Sequence, residues 1–216
     1  MTGSGRDLAR VGLWLVAGTL AYNVLEAVVA LVAGARADSI ALVGFGLDSV
    51  IECAAAAVLL WRLRLEARGG DREAVEVAER RVGRFVGLTF LLLALYVLAE
   101  AGLTLWRREP PRESVVGIVL AAASLVVMPI ISVAKLRVAA RLGSAALRAE
   151  AKETLACSYL SFALLLGLVA NAAAGLWWAD PVAALLMVPW LVKEGIEGLR
   201  GQDSCAGPPD ETPAGG

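Results

Sequence analysis

The sequence predicts an all-α integral membrane protein with six transmembrane helices and both termini in the cytoplasm. Of its 216 residues, 58% are hydrophobic, and the mean hydropathy is +0.69. Soluble domains contain roughly 45–50% apolar residues, so the composition favours a membrane protein. Because about 20 helical residues cross a hydrocarbon core, long apolar segments are candidate spans. Six such segments occur, at residues 11–35, 39–61, 85–106, 115–134, 155–178 and 181–199.

The distribution of basic residues predicts the orientation of these helices. If the N-terminus is inside, sixteen of the 20 Lys and Arg residues lie in cytoplasmic segments. The outer loops then hold four basic residues: Arg36, Arg107, Arg108 and Arg112. This bias follows the positive-inside rule and places both termini in the cytoplasm. The net charge of −1 gives no electrostatic reason to expect a nucleic-acid partner.

The first two segments are joined by a short outer turn. The first is too long for the apolar core of a signal peptide and no A-x-A site follows it, so we expect a retained helix. It carries Asn23 and Glu26 on one face, where they could either line a cavity or steady the second helix. In the turn ARADS, either Asp38 or Ser39 is expected to be the N-cap of the second helix.

The remaining segments end at recognisable turn signals. Charged helical turns precede the third, which contains Glu100 and ends before the prolines of RREPPRE. Glu100 could be a proton carrier near the functional site or a residue near the outer interface. The fourth segment is expected to end at Gly143. Asp180 is expected to cap the sixth helix, with Pro181 as its first residue.

The sixth segment carries more charged residues than the other five, and the C-terminal residues that follow it are polar. Residues 181–192 are apolar, and the segment reaches the length of a span only by including Lys193, Glu194 and Glu197. Residues 201–216 are polar and rich in Gly and Pro, which predicts a disordered cytoplasmic tail. Residues 1–200 are therefore expected to form one six-helix transmembrane domain.

Two carboxylates interrupt the apolar second segment, LVGFGLDSVIECAAAAVLLWR. Asp48 and Glu52 are four residues apart, so they share a helix face near the middle of the bilayer. A charge at the bilayer centre costs about 2.5–3.5 kcal/mol on insertion scales. Protonated acids could hydrogen-bond a neighbouring helix, but one polar residue would suffice for that. A divalent cation satisfies both carboxylates, and transporters bind their ions near the midplane.

The fifth segment begins with a polar stripe in AEAKETLACSYLSF. Glu153, Cys157 and Ser161 are spaced by four residues and share a helix face. Glu153 and Cys157 are candidates to complete a four-ligand metal site with Asp48 and Glu52. Alternatively, Glu153 is an interfacial charge and Cys157 is a small buried apolar residue. Counting along the helix places Glu153 nearer the cytoplasm than Glu52.

The residue types present exclude several functions. The chain contains no histidine, which excludes His-based triads and HExxH zinc sites. Its three cysteines make no disulfide framework. An intramembrane hydrolase would need aspartates on separate helices, whereas Asp48 and Glu52 share one turn. We therefore expect neither an enzyme nor a resident cofactor, and the alternative to a transporter is a non-transporting membrane scaffold or metal sensor.

The stretch ADSIALVGFGLDSVIECAAAAVLLWRLR resembles the second helix of cation diffusion facilitators, and WWADPVAALLMVPWLVKEGIEGL is similar to that family's link into its sixth helix. The resemblance covers residues 12–200. In that family, an acidic pair on the second helix meets a His-x-x-x-Asp pair on the fifth. Glu153 and Cys157 occupy the latter positions here. The chain resembles a short form without the family's cytoplasmic C-terminal domain.

The resemblance implies a cell-membrane antiporter that exports zinc, iron, cobalt, manganese or cadmium ions in exchange for protons. It also implies a homodimer, which the membrane helices would hold through the small-residue stretches at 54–57 and 171–175. The predicted metal ligands are Asp48, Glu52, Glu153 and Cys157. The candidate cavity or supporting residues are Asn23, Glu26, Ser161 and Glu100.

The predicted orientation can be tested by labelling single cysteines in intact cells. A membrane-impermeant thiol reagent should modify a cysteine introduced at Pro110, in an outer loop, and should not modify one introduced at Ser4. The labelling of the unsubstituted chain, which has three cysteines of its own, is the baseline. Modification at Ser4 with protection at Pro110 would reverse the topology.

Overall fold

The computed structural model describes the backbone of residues 3–67, 72–108, 111–143 and 145–200. These residues form six α-helices and no β-strand. The helices are α1 (Gly3–Ala37), α2 (Ile40–Ala67), α3 (Arg72–Arg107), α4 (Val115–Leu142), α5 (Ala145–Ala174) and α6 (Ala179–Arg200). The predicted all-helical architecture is confirmed, and the predicted tail at 201–216 lies outside the described residues.

Five of the helices are long and apolar enough to cross a membrane. Their candidate spans are Arg10–Ala37, Ile40–Val58, Arg84–Arg107, Val115–Leu142 and Glu150–Ala174. Helix α6 is not among them, because charged residues occupy its last turns. Its 22 residues are nevertheless about 33 Å long at 1.5 Å per residue. A sixth span thus remains a prediction, as does the orientation of the termini.

The six helices close into a ring in which α2 has the most neighbours. Around the ring, α1 packs on α2, α2 on α3, α3 on α6, α6 on α5, α5 on α4, and α4 on α1. Helix α2 also crosses the interior to contact α5 and α6. Side chains of α2 can therefore meet those of α1 and α5 inside the ring.

Apolar packing fills the ring, and apolar side chains also cover its outer surface. Phe45, Met128, Leu164 and Met187 belong to one buried cluster. Trp14, Leu25, Phe85, Leu95, Val119 and Ile130 are among the large apolar residues that are exposed. Such extensive apolar exposure is typical of a surface that faces lipid rather than water.

Glycine brings two helix pairs into close contact. A Cβ atom at Gly46 would lie 2.9 Å from Cγ of Leu31, so only glycine allows α2 to approach α1 so closely. A Cβ atom at Gly87 would lie 2.8 Å from the carbonyl oxygen of Gly195, where α3 crosses α6. Small residues at such crossings are the usual means of packing helices in a membrane.

The N-terminus of α2 is held by its own cap and by a carboxylate from α6. Ser39 is the N-cap, since its Oγ accepts a hydrogen bond of 3.2 Å from the backbone N–H of Leu42. Asp180 accepts a 2.9 Å hydrogen bond from the N–H of Ile40, a longer one from Ala41 and one from the Ser39 hydroxyl. These bonds satisfy backbone donors that have no partner within the helix.

The predicted role of Asp180 as the cap of α6 is wrong. Helix α6 begins at Ala179, two residues earlier than expected, and the N–H of Val182 donates to the carbonyl of Trp178 at 3.1 Å. Pro181 is therefore the third residue of the helix. The Asp180 side chain turns to α2 and joins the starts of the two helices. The predicted end of α4 at Gly143 is confirmed by its φ of 65°.

Replacing Asp180 with Asn should destabilise the bundle measurably. The substitution puts an amide beside backbone donors and removes a charge from a helix N-terminus, which should cost about 1–2 kcal/mol. Asp38→Asn is the matched control. The Asp38 side chain is 71% exposed and lies 3.8 Å from Arg112, so its ion pair contributes little. Equal melting temperatures for the two variants in detergent would contradict the assigned role of Asp180.

Candidate metal site

Three of the predicted ligands lie together inside the ring. Asp48 and Glu52 are one turn apart on α2, and Cys157 comes from α5, which contacts α2 across the interior. One ligand atom from each lies within 4.8 Å of the other two. Asp48 is 2% exposed and Cys157 is fully buried, whereas Glu52 is half-buried. Two carboxylates and one sulfur thus converge in the interior of the ring.

Asp48 is incompletely satisfied by the protein. Its Oδ2 atom is buried and has no hydrogen-bond partner among the residues that the structure describes. A buried acceptor without a donor costs about 1–3 kcal/mol, and more when it is charged. A cation at this position would provide the missing partner.

The two candidates on α1 both reach this cluster. Asn23 donates from Nδ2 to Oε2 of Glu52 at 2.8 Å and is itself buried. Glu26 is 1% exposed, and its Oε2 lies 4.0 Å from Sγ of Cys157. The sequence leaves two roles open for these residues, lining a cavity or steadying the second helix. In the structure, Asn23 steadies a residue of α2, and Glu26 lines the interior beside the cluster.

Glu26 is enclosed by hydroxyl groups from two other helices. Ser49 of α2 donates to its Oε2 at 2.9 Å, and Ser124 of α4 donates to its Oε1. Ser124 is also bonded to the hydroxyl of Tyr22 at 2.8 Å. All of these donors are neutral, so they orient the Glu26 carboxylate without neutralising its charge.

The other candidates lie outside the three-residue group. Glu153 is exposed on α5, one turn before Cys157, and Glu100 is half-buried on α3. Ser161 is fully buried but donates to the carbonyl of Cys157 at 2.8 Å, within its own helix. The geometry therefore brings Asp48, Glu52 and Cys157 together, and the carboxylate of Glu26 contacts the thiol of Cys157.

A buried ion pair lies between α4 and α5 and was missed by sequence reasoning. Lys135 is one of the sixteen basic residues expected in cytoplasmic segments, and it is fully buried. Its Nζ donates to Glu150 at 2.6 Å and to Thr154 at 2.9 Å. The spacing of Glu150 and Thr154, four residues apart, was the available signal. Breaking such a pair is costly because it leaves one buried charge without its partner.

No lysine or arginine in the described part of the chain forms an ion pair with a carboxylate of the cluster. Among the described residues, the ion pairs are Arg112–Asp38, Lys135–Glu150 and those of Lys193 with Glu194 and Glu197. None involves Glu26, Asp48 or Glu52. Buried like charges at this separation must be compensated by protons or by a bound cation. The arrangement is suited to exchange between the two.

Comparison with protein families agrees with this chemistry. The family model described as the cation efflux transmembrane domain matches residues 16–200. The match covers α1 from Val16 onward, the whole of α2 to α6 and every residue of the cluster. No curated protein matches the chain.

Proposed function

The chain belongs to the cation efflux family, and we propose that it exports divalent metal ions from the cytoplasm in exchange for protons. Family membership makes it a transporter of divalent cations across a membrane. The observation that carries the finer proposal is the convergence of Asp48, Glu52 and Cys157, whose ligand atoms lie within 4.8 Å of one another. Such a group is costly to bury empty, and a divalent ion compensates two of its charges.

The ligand types favour a particular group of metals. Carboxylate oxygens alone would suit magnesium, calcium or manganese, whereas a thiolate selects softer ions. A site with two carboxylates and one sulfur is therefore suited to zinc, cadmium, cobalt or ferrous iron. In this proposal, the ion loses most of its water shell and is held between α2 and α5.

Exchange with protons follows from competition for the same atoms. A metal ion binds only deprotonated thiol and carboxyl groups, so its binding releases protons. When the ion leaves, the vacant site takes protons up again because buried charges would otherwise repel one another. In this proposal, protons enter from outside as metal leaves the cytoplasm.

Glu153 has a separate role in this proposal. With both termini in the cytoplasm and α6 as the sixth span, α5 runs outward from the cytoplasm. Glu153 is then one turn nearer the cytoplasm than Cys157, and it is exposed. Its carboxylate would concentrate cations at the inner entrance to the site, as charges lining a cleft do for ions in solution. Direct ligation by Glu153, as the family resemblance implies, would require its side chain to turn inward.

We further propose a homodimer formed through the membrane helices. Four residues of α2 are exposed at intervals of four, three and four positions, namely Val50, Ala54, Ala57 and Trp61. They form one face, with alanines at its centre where a second copy could approach closely. Residues 173–175 are also small and exposed. A monomer mass in mild detergent and in native membranes would contradict the dimer.

Asp48→Asn should abolish metal transport by purified protein in liposomes. The substitution keeps the shape of the side chain but removes its negative charge and replaces one carboxylate oxygen with an NH2 group. Metal affinity should fall by more than about 100-fold, the upper range for residues that only support a ligand. Asp38→Asn makes the same change at an exposed position and should transport normally. Wild-type transport by Asp48→Asn would refute the proposed site.

Cys157→Ser should change the metal preference of the site. Serine replaces a soft sulfur with a hard oxygen, so cadmium loses a preferred ligand and manganese does not. Cadmium affinity should fall by at least about tenfold more than manganese affinity, a difference of ~1.4 kcal/mol. Competition with a chelating indicator measures both constants. An equal effect on the two ions would mean that Cys157 is a packing residue.

A further inference from the structure

Glu26 is a buried carboxylate to which the proposed function gives no role. It lies on α1, in the middle of the candidate span Arg10–Ala37, and is 1% exposed. A charge at such depth is costly and in a membrane helix is generally functional. Its hydrogen bonds come from the neutral hydroxyls of Ser49 and Ser124 and, at 4.0 Å, from the thiol of Cys157, and in the described part of the chain it has no ion-pair partner.

The position of the Glu26 carboxylate is fixed from two sides. Ser124 of α4 donates to Oε1, and Tyr22 in turn bonds Ser124 at 2.8 Å. Ser49 of α2 donates to Oε2 at 2.9 Å and follows Asp48 directly in sequence. The same turn of α2 thus carries one proposed ligand and one residue that orients Glu26. Preorganisation of this kind is how supporting groups position metal ligands.

The distance between Glu26 and the sulfur of Cys157 is suited to a shared ion. Oε2 of Glu26 lies 4.0 Å from Sγ of Cys157. Two ligand atoms at about 2.1 and 2.3 Å from a tetrahedral ion are separated by roughly 3.6 Å. A small contraction would therefore bring both atoms onto one metal. The members of the three-residue group are themselves separated by up to 4.8 Å, so a bound ion would contract the whole group.

Two further buried acceptors, one on α1 and one on α2, would be satisfied by a bound cation. Oδ1 of Asn23 and Oδ2 of Asp48 have no hydrogen-bond partner among the described residues. Only 2% of the surface of Asp48 is exposed. An amide oxygen accepts only, and so does an ionised carboxylate, so each can be satisfied by a metal. Both atoms belong to residues on the facing helices α1 and α2, and Asn23 is one turn before Glu26.

We propose that Glu26 is a direct ligand of the transported ion, so that α1 completes the site formed by α2 and α5. This inference rests on the proposed function and assigns the fourth ligand to Glu26 instead of Glu153. Three carboxylates and one thiolate then surround the ion. Binding of the ion would tie α1, α2 and α5 together, with Ser124 of α4 as a support.

Equilibrium binding of cadmium to the purified full-length chain tests the inference. Affinity is measured by competition with a chelator for Glu26→Gln, Glu153→Gln, Ser124→Ala and Asp48→Asn. Glu26→Gln should lower the affinity by more than about 100-fold, and Ser124→Ala by about 10–100-fold, as expected of a supporting residue. Glu153→Gln should change the cadmium affinity by less than either of these two variants. At saturating cadmium, Glu26→Gln should keep the absorption band of a cadmium–thiolate bond, because Cys157 still binds.

The outcomes separate this inference from the proposed function. If Asp48→Asn loses binding and Glu26→Gln does not, the function stands and Glu26 is not a ligand. A loss for Glu26→Gln no larger than that for Ser124→Ala would also overturn the inference, since it would indicate a supporting role. Wild-type binding by both Asp48→Asn and Glu26→Gln would overturn the function as well. Should Glu26→Gln fail to fold, Glu26→Asp keeps the charge on a shorter side chain, and wild-type affinity there would count against ligation.

Discussion

The energetic cost of burying carboxylates in an apolar helix bundle is the constraint on which the rest of the structure depends. Glu26, Asp48 and Glu52 converge beside the thiol of Cys157, and no lysine or arginine among the described residues pairs with the three acids. Hydroxyl and amide donors orient these groups without supplying positive charge. The cluster is therefore stable only with bound protons or a bound cation. Exchange of a metal for protons requires a site of this kind, which holds either protons or a metal ion.

The architecture positions this cluster by holding α2 at the centre of the ring. At one end, Asp180 of α6 bonds the first backbone donors of α2, and Ser39 completes the cap. Along its length, Gly46 permits close packing against Leu31 of α1. These contacts fix which face of α2 meets α1 and which meets α5. The buried Lys135–Glu150 pair joins α4 to α5 in the same way, so the helices that carry the ligands are each tied to a neighbour.

Periodicity and composition were sufficient to predict the helices and the acidic pair. Asp48 and Glu52 stand out because a four-residue spacing within an apolar segment has few structural explanations, and the stripe on α5 identified Cys157 in the same way. The choice between Glu153 and Glu26 depends on helix rotation and tilt, which a single sequence does not define. The ion pair of Lys135 was missed for a similar reason, since a lysine at the end of an apolar segment is indistinguishable from an interfacial charge. Asp180 was assigned to the wrong helix because its partner is 140 residues away.

Transport by the isolated chain is the central claim, and flux in liposomes tests it most directly. Purified protein is reconstituted into vesicles that contain a metal-sensitive and a pH-sensitive dye, and zinc, cadmium, cobalt, ferrous iron, manganese, magnesium and calcium are added in turn. We expect the softer ions to enter without any partner protein and protons to move in the opposite direction. Folded protein that moves none of these ions would contradict it and would favour a scaffold or a metal sensor.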